Sequence, residues 1–200
     1  MQATYNPDYF EQLYRLNNGD PWGYQAHWYE QRKRDITLAV LPAAKFQLAL
    51  EIGCSNGILS DALATRCETL TCLDGCSSAV KLAKKRLATW VDVQQAVIPQ
   101  QLPQQQYDLI VVSEVLYYLN QAELNTTMQW LNQALHPQGC IVACHWLQPI
   151  EGFALNGRFV HQQLKQALNY SHSLTLQDQD FYLDVWRHSD QTLAEQEGLR

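Results

Sequence analysis

Four short stretches of the chain are apolar almost without interruption: Leu48-Ala-Leu-Glu-Ile52, Thr69-Leu-Thr-Cys-Leu-Asp74, Tyr107-Asp-Leu-Ile-Val-Val-Ser113 and Cys140-Ile-Val-Ala-Cys-His-Trp146. Runs this short and continuous are expected of parallel strands covered on both faces. Between them the period lengthens. Ile58, Leu59, Ala62 and Leu63 follow Gly57 at helical spacing, and a helix capped by Ser77 turns Val80, Ala83 and Leu87 inward and Lys81, Lys84, Lys85 and Arg86 to water. A weaker strand over 91–97 ends near Gln95 and Ala96, and a polar loop occupies 98–106. The next helix, predicted from Gln121 to His136, aligns Leu124, Met128, Leu131 and Leu135 until Pro137-Gln-Gly139 stops it. A helix over 158–169 then precedes two strands, 170–176 and 181–187, that lie back to back.

The first forty residues are helical in pattern. Residues 7–17 space Tyr9, Phe10, Leu13 and Leu16 as one face, and Asn17-Asn18-Gly19 ends it. Asp20-Pro21 restarts a helix predicted to reach Leu41, with Trp22, Ala26, Tyr29, Arg32 and Ile36 on one stripe. Arg32 thus points where the apolar residues point. It either meets an anion there or snorkels to a surface carboxylate. Glu30 and Arg34, four apart, read as a solvated helix pair. Strands alternating with helices, then a hairpin, give an α/β, Rossmann-like doubly wound sheet of seven strands, mostly parallel with a C-terminal antiparallel pair. A single domain is expected: a helical lid over 1–42, the core over 43–188 and a frayed tail over 189–200.

The chemistry gathers where the first strand ends. Gly53-Cys-Ser-Asn-Gly57 turns the chain from strand to helix, where glycines admit a close ligand and free N–H groups receive an anion. Several readings compete for it. It departs from the dinucleotide fingerprint, matches the nucleophile elbow G-x-S-x-G with Ser55 as nucleophile, suits S-adenosylmethionine, and also suits a turn with no ligand. Asp74 stands 21 residues after Gly53 at the end of the second strand, close to the roughly 20 expected of a ribose-binding carboxylate. That spacing favours a nucleoside. Ligands of such sheets bind beyond the carboxyl ends of the strands, and Gly53 to Gly57, Asp74, Gln95, Ser113 to Tyr117 and His145 all fall on that edge.

Composition narrows the classes further. The 200 residues carry a formal net charge of -6, which argues against a nucleic-acid partner and for a small-molecule one. No apolar span suggests a membrane, no signal-like segment opens the sequence, and the chain reads as cytoplasmic. The six cysteines have no metal-ligand spacing and are expected to be buried reduced thiols. No residue pattern specifies a copy number.

Five segments together resemble the nodulation protein S (NodS) family of class I S-adenosylmethionine-dependent methyltransferases. They are Asp-Pro-Trp at 20–22, Trp-Tyr-Glu-Gln-Arg-Lys-Arg at 28–34, Glu-Ile-Gly-Cys-Ser at 51–55, Ser-Glu-Val-Leu-Tyr-Tyr-Leu at 113–119 and His-Trp at 145–146. The resemblance runs from about Tyr5 to about His188. It implies methyl transfer to an amine, in the nodulation enzymes a deacetylated sugar of a chitin oligosaccharide. Phe153 to His161 departs from the family pattern, with Arg158 where the family carries an acid. An arginine there does not favour a cationic acceptor.

The methyltransferase reading assigns roles to named residues. Gly53, Ser55 and Gly57 would meet the methionine moiety, Asp74 the ribose, Gln95 and Ala96 the adenine, and Arg32 the methionine carboxylate. Glu51, Cys54, Gly75, Ser113 and Glu114 complete the cofactor side, and Trp22 and Tyr29 are aromatic walls for a sulfonium. Trp28, Tyr117, Tyr118, His145, Trp146 and Arg158 form the acceptor side. Transfer from a sulfonium is chiefly a matter of orientation. An amine must also lose a proton, to His145 or Glu114 with Tyr117 alongside. The rivals are a serine hydrolase, which lacks an upstream His-Gly-Gly-Gly segment, and a binding module without turnover.

Overall fold

The computed structural model describes residues 6–200, so Tyr5 and the start of the expected lid lie outside the described residues. Strands β1 (Phe46–Ile52), β2 (Cys67–Asp74), β3 (Asp92–Gln95), β4 (Tyr107–Ser113), β5 (Leu135–Trp146), β6 (Ser171–Gln177) and β7 (Phe181–Arg187) form one sheet in the order β3-β2-β1-β4-β5-β7-β6. The first five are parallel; β7 runs antiparallel between β5 and β6. This is the Rossmann-like doubly wound fold. Among the described residues no helix is long and apolar enough to cross a membrane.

Continuous apolar strands follow from burial on both faces. In β4, Ile110 and Val112 pack with Leu124, Met128 and Leu131 of α5 (Gln121–Ala134) and with Val160 and Leu164 of α6 (Gly157–Ala167). Leu109 and Val111 face the other way, toward Leu63 of α3 (Ile58–Ala64) and Val80 and Ala83 of α4 (Ser77–Arg86). Alternate residues of one strand thus anchor two layers of helices. The six cysteines are buried and free.

Several predicted boundaries shift, each for a local reason. In α1 (Pro7–Leu16) the buried pair is Phe10 and Tyr14, whereas Tyr9 and Leu16 are exposed. No helix starts at Asp20. Its carboxylate accepts the amides of Tyr24 and Gln25, which closes the chain into turns, and α2 runs only from Trp28 to Ala39. Ser77 is the first residue of α4 and not its cap; Glu11 of α1 accepts the Ser78 amide from outside. The α5 helix ends at Ala134 because Leu135 already pairs with Tyr107. Beyond Ser189 a short capped helix, α7 (Leu193–Gln196), forms, and Arg187 bonds the Gln191 carbonyl and Gln196 Oε1.

Candidate active site

A cavity of about 590 Å³ opens beyond the carboxyl ends of β1, β2 and β4. Its floor is Ile52, Gly53, Leu73, Asp74 and Glu114, and Ala96, Val97 and Ile98 form one side. The opposite wall is aromatic. Phe10 and Tyr14 of α1, Trp22 and Tyr24 of the turn segment, and Trp28 and Tyr29 of α2 line it. Tyr117 and Tyr118, in a 3-10 turn at Leu116–Tyr118, close the far end with Trp146.

The glycine turn approaches this cavity without side chains in the way. Gly53 has φ +84°, and a Cβ there would stand 2.9 Å from Val115 Cβ and 3.0 Å from the Ser113 carbonyl. Only glycine fits, so the turn packs tightly against the end of β4 while Gly53 still reaches the cavity lining. Asp74 braces the turn from below, accepting the Ser55 amide and the Cys76 amide, each at 2.8 Å. Burial pushes its carboxyl up to about 6 in spite of those two bonds. The Ser55 hydroxyl pairs with the Tyr14 phenol, which ties α1 across the turn. With a phenol and not an imidazole as its partner, Ser55 has no base to activate it as a hydrolase nucleophile.

Lys33 is the buried charge that the sequence reading missed. Its ammonium lies 3.1 Å from Glu30 Oε1 and 2.7 Å from Glu114 Oε1, and it is only 6% exposed. Burial opposes that charge, but Glu114 and then Glu30 outweigh it and raise the Lys33 pKa. Glu114 adopts φ +55°, a left-handed conformation costly for a side-chain-bearing residue. Three donors hold it there: Lys33, the Tyr117 hydroxyl at 2.5 Å and the Trp146 amide at 2.8 Å. The Tyr29 hydroxyl is buried with no partner among the described residues. The signal for Lys33 lay in Tyr29 four residues before it and Glu30 three before, on one face of a helix beginning at Trp28.

The cavity brings together most of the expected residues. Trp22, Tyr29, Gly53, Ser55, Asp74 and Gly75 line it, as do Ala96 and Glu114. Trp28, Tyr117, Tyr118 and Trp146 line it too. Glu51, Cys54 and Ser113 sit behind the turn, against a small cleft of about 40 Å³ that shares Lys33 and Glu114. Burial pushes the Glu51 carboxyl up to about 7, opposed by Ser60 and Cys72 beside it. Gly57 packs on Ala83 of α4 and is not in the lining.

Six residues are placed differently from expectation. Arg32 pairs with Asp178 at 2.9 Å, its side chain 42% exposed, and does not line the cavity. The helix cation that does line it is one residue on, Lys33. Glu30 and Arg34 are no pair: Glu30 bonds Lys33, and Arg34 the Tyr24 carbonyl. Gln95 reaches back to the Gly75 carbonyl at the exposed edge of β3. Arg158 bonds the Tyr182 hydroxyl at 2.7 Å and lies over that ring, outside the cavity, so it does not bear on an acceptor there. His145 is 0% exposed, lies outside the lining, and receives the Leu116 amide on Nε2. It has no route to an acceptor proton.

Residues 6–145 match the family described as Nodulation protein S (NodS). Nodulation protein S of Sinorhizobium fredii (strain NBRC 101917 / NGR234) is 35% identical over 127 residues, covering 62% of this chain and 59% of that protein. The match thus spans less than two thirds of that relative's length. A Pseudomonas syringae protein of solved structure is 42% identical over 80% of this chain and 99% of its own, with a TM-score of 0.71. The N-methyltransferase NodS from Bradyrhizobium japonicum WM9, solved in complex with S-adenosyl-L-homocysteine, is 25% identical over 88% of this chain and 98% of its own, with a TM-score of 0.77. The chain belongs to the NodS family.

Proposed function

We propose that this chain is an S-adenosylmethionine-dependent methyltransferase acting on the nitrogen of a small amine. One observation carries the reading: the family match coincides with a cavity at the carboxyl edge whose rim holds Gly53 and, 21 residues later, Asp74. The residues present fit the cofactor. Gly53 brings bare backbone to the lining, and each oxygen of Asp74, holding one amide, keeps a lone pair for a sugar hydroxyl. Ala96 and Ile98 offer an apolar side for a flat base, and Lys33, held by Glu30 and Glu114, lines the cavity where Arg32 was expected.

When bound, the cofactor supplies an electrophilic methyl on a sulfonium. The protein then has to hold the amine in line with that methyl and keep water out, and effective molarity supplies much of the rate. Trp22, Tyr29 and Trp146 line the cavity, and the faces of such rings favour cations. Glu30 and Glu114 around one lysine leave this wall with a surplus negative charge, which draws an ammonium in. Glu30, at the cavity wall beside Tyr29, accepts the proton that the ammonium loses. Six buried free thiols suit a reducing, cytoplasmic setting.

The test is incubation with methyl-labelled S-adenosylmethionine and a panel of alkylamines, aromatic amines and amino sugars. Labelled N-methyl product is the expected result. Calorimetry with S-adenosylhomocysteine on the wild type and Asp74→Ala runs beside it. Absence of binding to either form of the nucleoside overturns the reading.

A further inference from the structure

Behind the acceptor end of the cavity runs a buried chain of hydrogen bonds that crosses four elements. The Leu116 amide meets His145 Nε2 at 3.4 Å; His145 Nδ1 lies 3.1 Å from His161 Nε2; His161 Nδ1 lies 2.5 Å from Asp184 Oδ2. His145 is the last residue but one of β5, His161 lies in α6, and Asp184 stands in β7. All three side chains are 1% exposed or less. The other Asp184 oxygen, Oδ1, faces outward to Lys165 at 3.1 Å, His172 at 2.7 Å and Thr175. Among the described residues no group of His, Cys, Asp and Glu is arranged to hold a metal.

Only one proton arrangement lets every bond form. A carboxylate only accepts, so His161 carries its proton on Nδ1 and its Nε2 is bare. His145 must then donate from Nδ1, which leaves its own Nε2 bare to accept the amide of Leu116. Both rings are neutral and each has one fixed tautomer. Burial, then His161 and Lys33, hold the His145 pKa well below its usual value, in keeping with an uncharged ring. Burial works to raise the Asp184 pKa, but His161 and Thr175 outweigh it and keep the carboxyl ionised.

We propose that Asp184, His161 and His145 form a positioning relay that fixes the turn carrying Tyr117, and through the Tyr117 hydroxyl the Glu114 carboxylate at the acceptor end of the cavity. The proposal rests on the methyltransferase reading for its kinetic consequence, though not for its chemistry. Leu116 is fully buried, so its amide needs an acceptor, and the turn that offers it also carries Tyr117 into the cavity. The Tyr117 ring stands 5.5 Å from the His145 ring and its hydroxyl bonds Glu114. None of the three relay residues touches the ligand space.

Asp184→Asn tests the relay sharply. The Lys165 ammonium can only donate, so the new amide turns its oxygen outward and its NH2 toward His161. Both rings are then forced to carry the proton on Nε2, and His145 faces the Leu116 amide donor to donor. Nitrogen-15 shifts of the histidine rings, read on the unliganded protein, are expected to show both rings protonated at Nδ1 in the wild type and at Nε2 in the variant. Displacing a reacting group by about 1 Å costs on the order of 10²-fold, so kcat of Asp184→Asn falls by about that factor while KM for the methyl donor holds. His145→Gln, whose carbonyl can still accept from Leu116, keeps most of kcat, whereas His145→Leu loses it. The proposal is overturned by an Nε2–H or doubly protonated His145 in the wild type at neutral pH. It is overturned equally by an Asp184→Asn protein with unchanged tautomers, or by His145→Gln as inactive as His145→Leu, the signature of a general base. A wild-type chain that methylates nothing sinks the activity reading and leaves the ring spectra to decide the relay.

Discussion

Replacing Lys33 by methionine keeps the length and packing of the side chain but removes the charge between Glu30 and Glu114. Both carboxylate oxygens lie within 3.1 Å of the lost ammonium. Two like charges at most about 6 Å apart, at an effective dielectric near 20, repel by about 3 kcal/mol. Removal of one partner from a buried pair costs roughly the same, about 3–5 kcal/mol. For a chain of this size each kcal/mol moves Tm by about 2–4 °C, so a drop of about 6–12 °C is expected at pH 7 by calorimetry or circular dichroism. The pH dependence separates this cause from lost packing. In the variant one carboxylate relieves the repulsion by taking up a proton, so the deficit shrinks as pH falls from 7 to 5. In the wild type the folded Lys33 pKa is raised, so its stabilisation is full below the unfolded value of about 10.4 and is lost only as pH rises through the folded one. Glu30→Gln combined with Lys33→Met recovers much of the loss. A Tm within 1 °C of wild type, or a deficit independent of pH, refutes the reasoning.

Asp74 has a folded pKa of about 6, above its unfolded value of about 3.9, so its ionisation lowers stability as pH rises from about 4 to 6. A sugar hydroxyl prefers the ionised acceptor, so S-adenosylhomocysteine affinity by calorimetry falls by up to about tenfold between pH 7 and 5 in the wild type and stays flat in Asp74→Asn. Arg32→Ala leaves that affinity unchanged and costs at most about 1 kcal/mol of stability, because the half-exposed pair with Asp178 lies outside the cavity; a large loss of binding would return Arg32 to the site. Gly157→Ala places a Cβ 2.1 Å from the Trp146 carbonyl, backbone against backbone, and is expected to lower stability by about 1–3 kcal/mol in denaturant titration as α6 is pushed off β5.

The strands were legible because their signal is local. A parallel strand covered on both faces must be apolar at every position, and Leu109 to Val112 satisfy that without reference to any other segment. The glycine turn and Asp74 were legible for a related reason: a close backbone approach and a carboxylate one strand away are encoded by residue type and spacing. The N-terminal segment was harder. Asp20 signals a helix cap, yet its carboxylate closes its own turns, and the shifted start moved the buried face from Arg32 to Lys33.

Charge pairs belong to the tertiary structure alone. Arg32 finds its carboxylate at Asp178, Lys33 finds Glu114, and His145 meets His161 from another helix. Nothing in the local pattern distinguishes an arginine that faces a ligand from one that faces a hairpin. Hydrophobic period tells which face of an element is buried. It does not tell which polar groups of distant elements that burial forces together, and an unpaired charge in a low-dielectric interior is too costly for them to be left to chance.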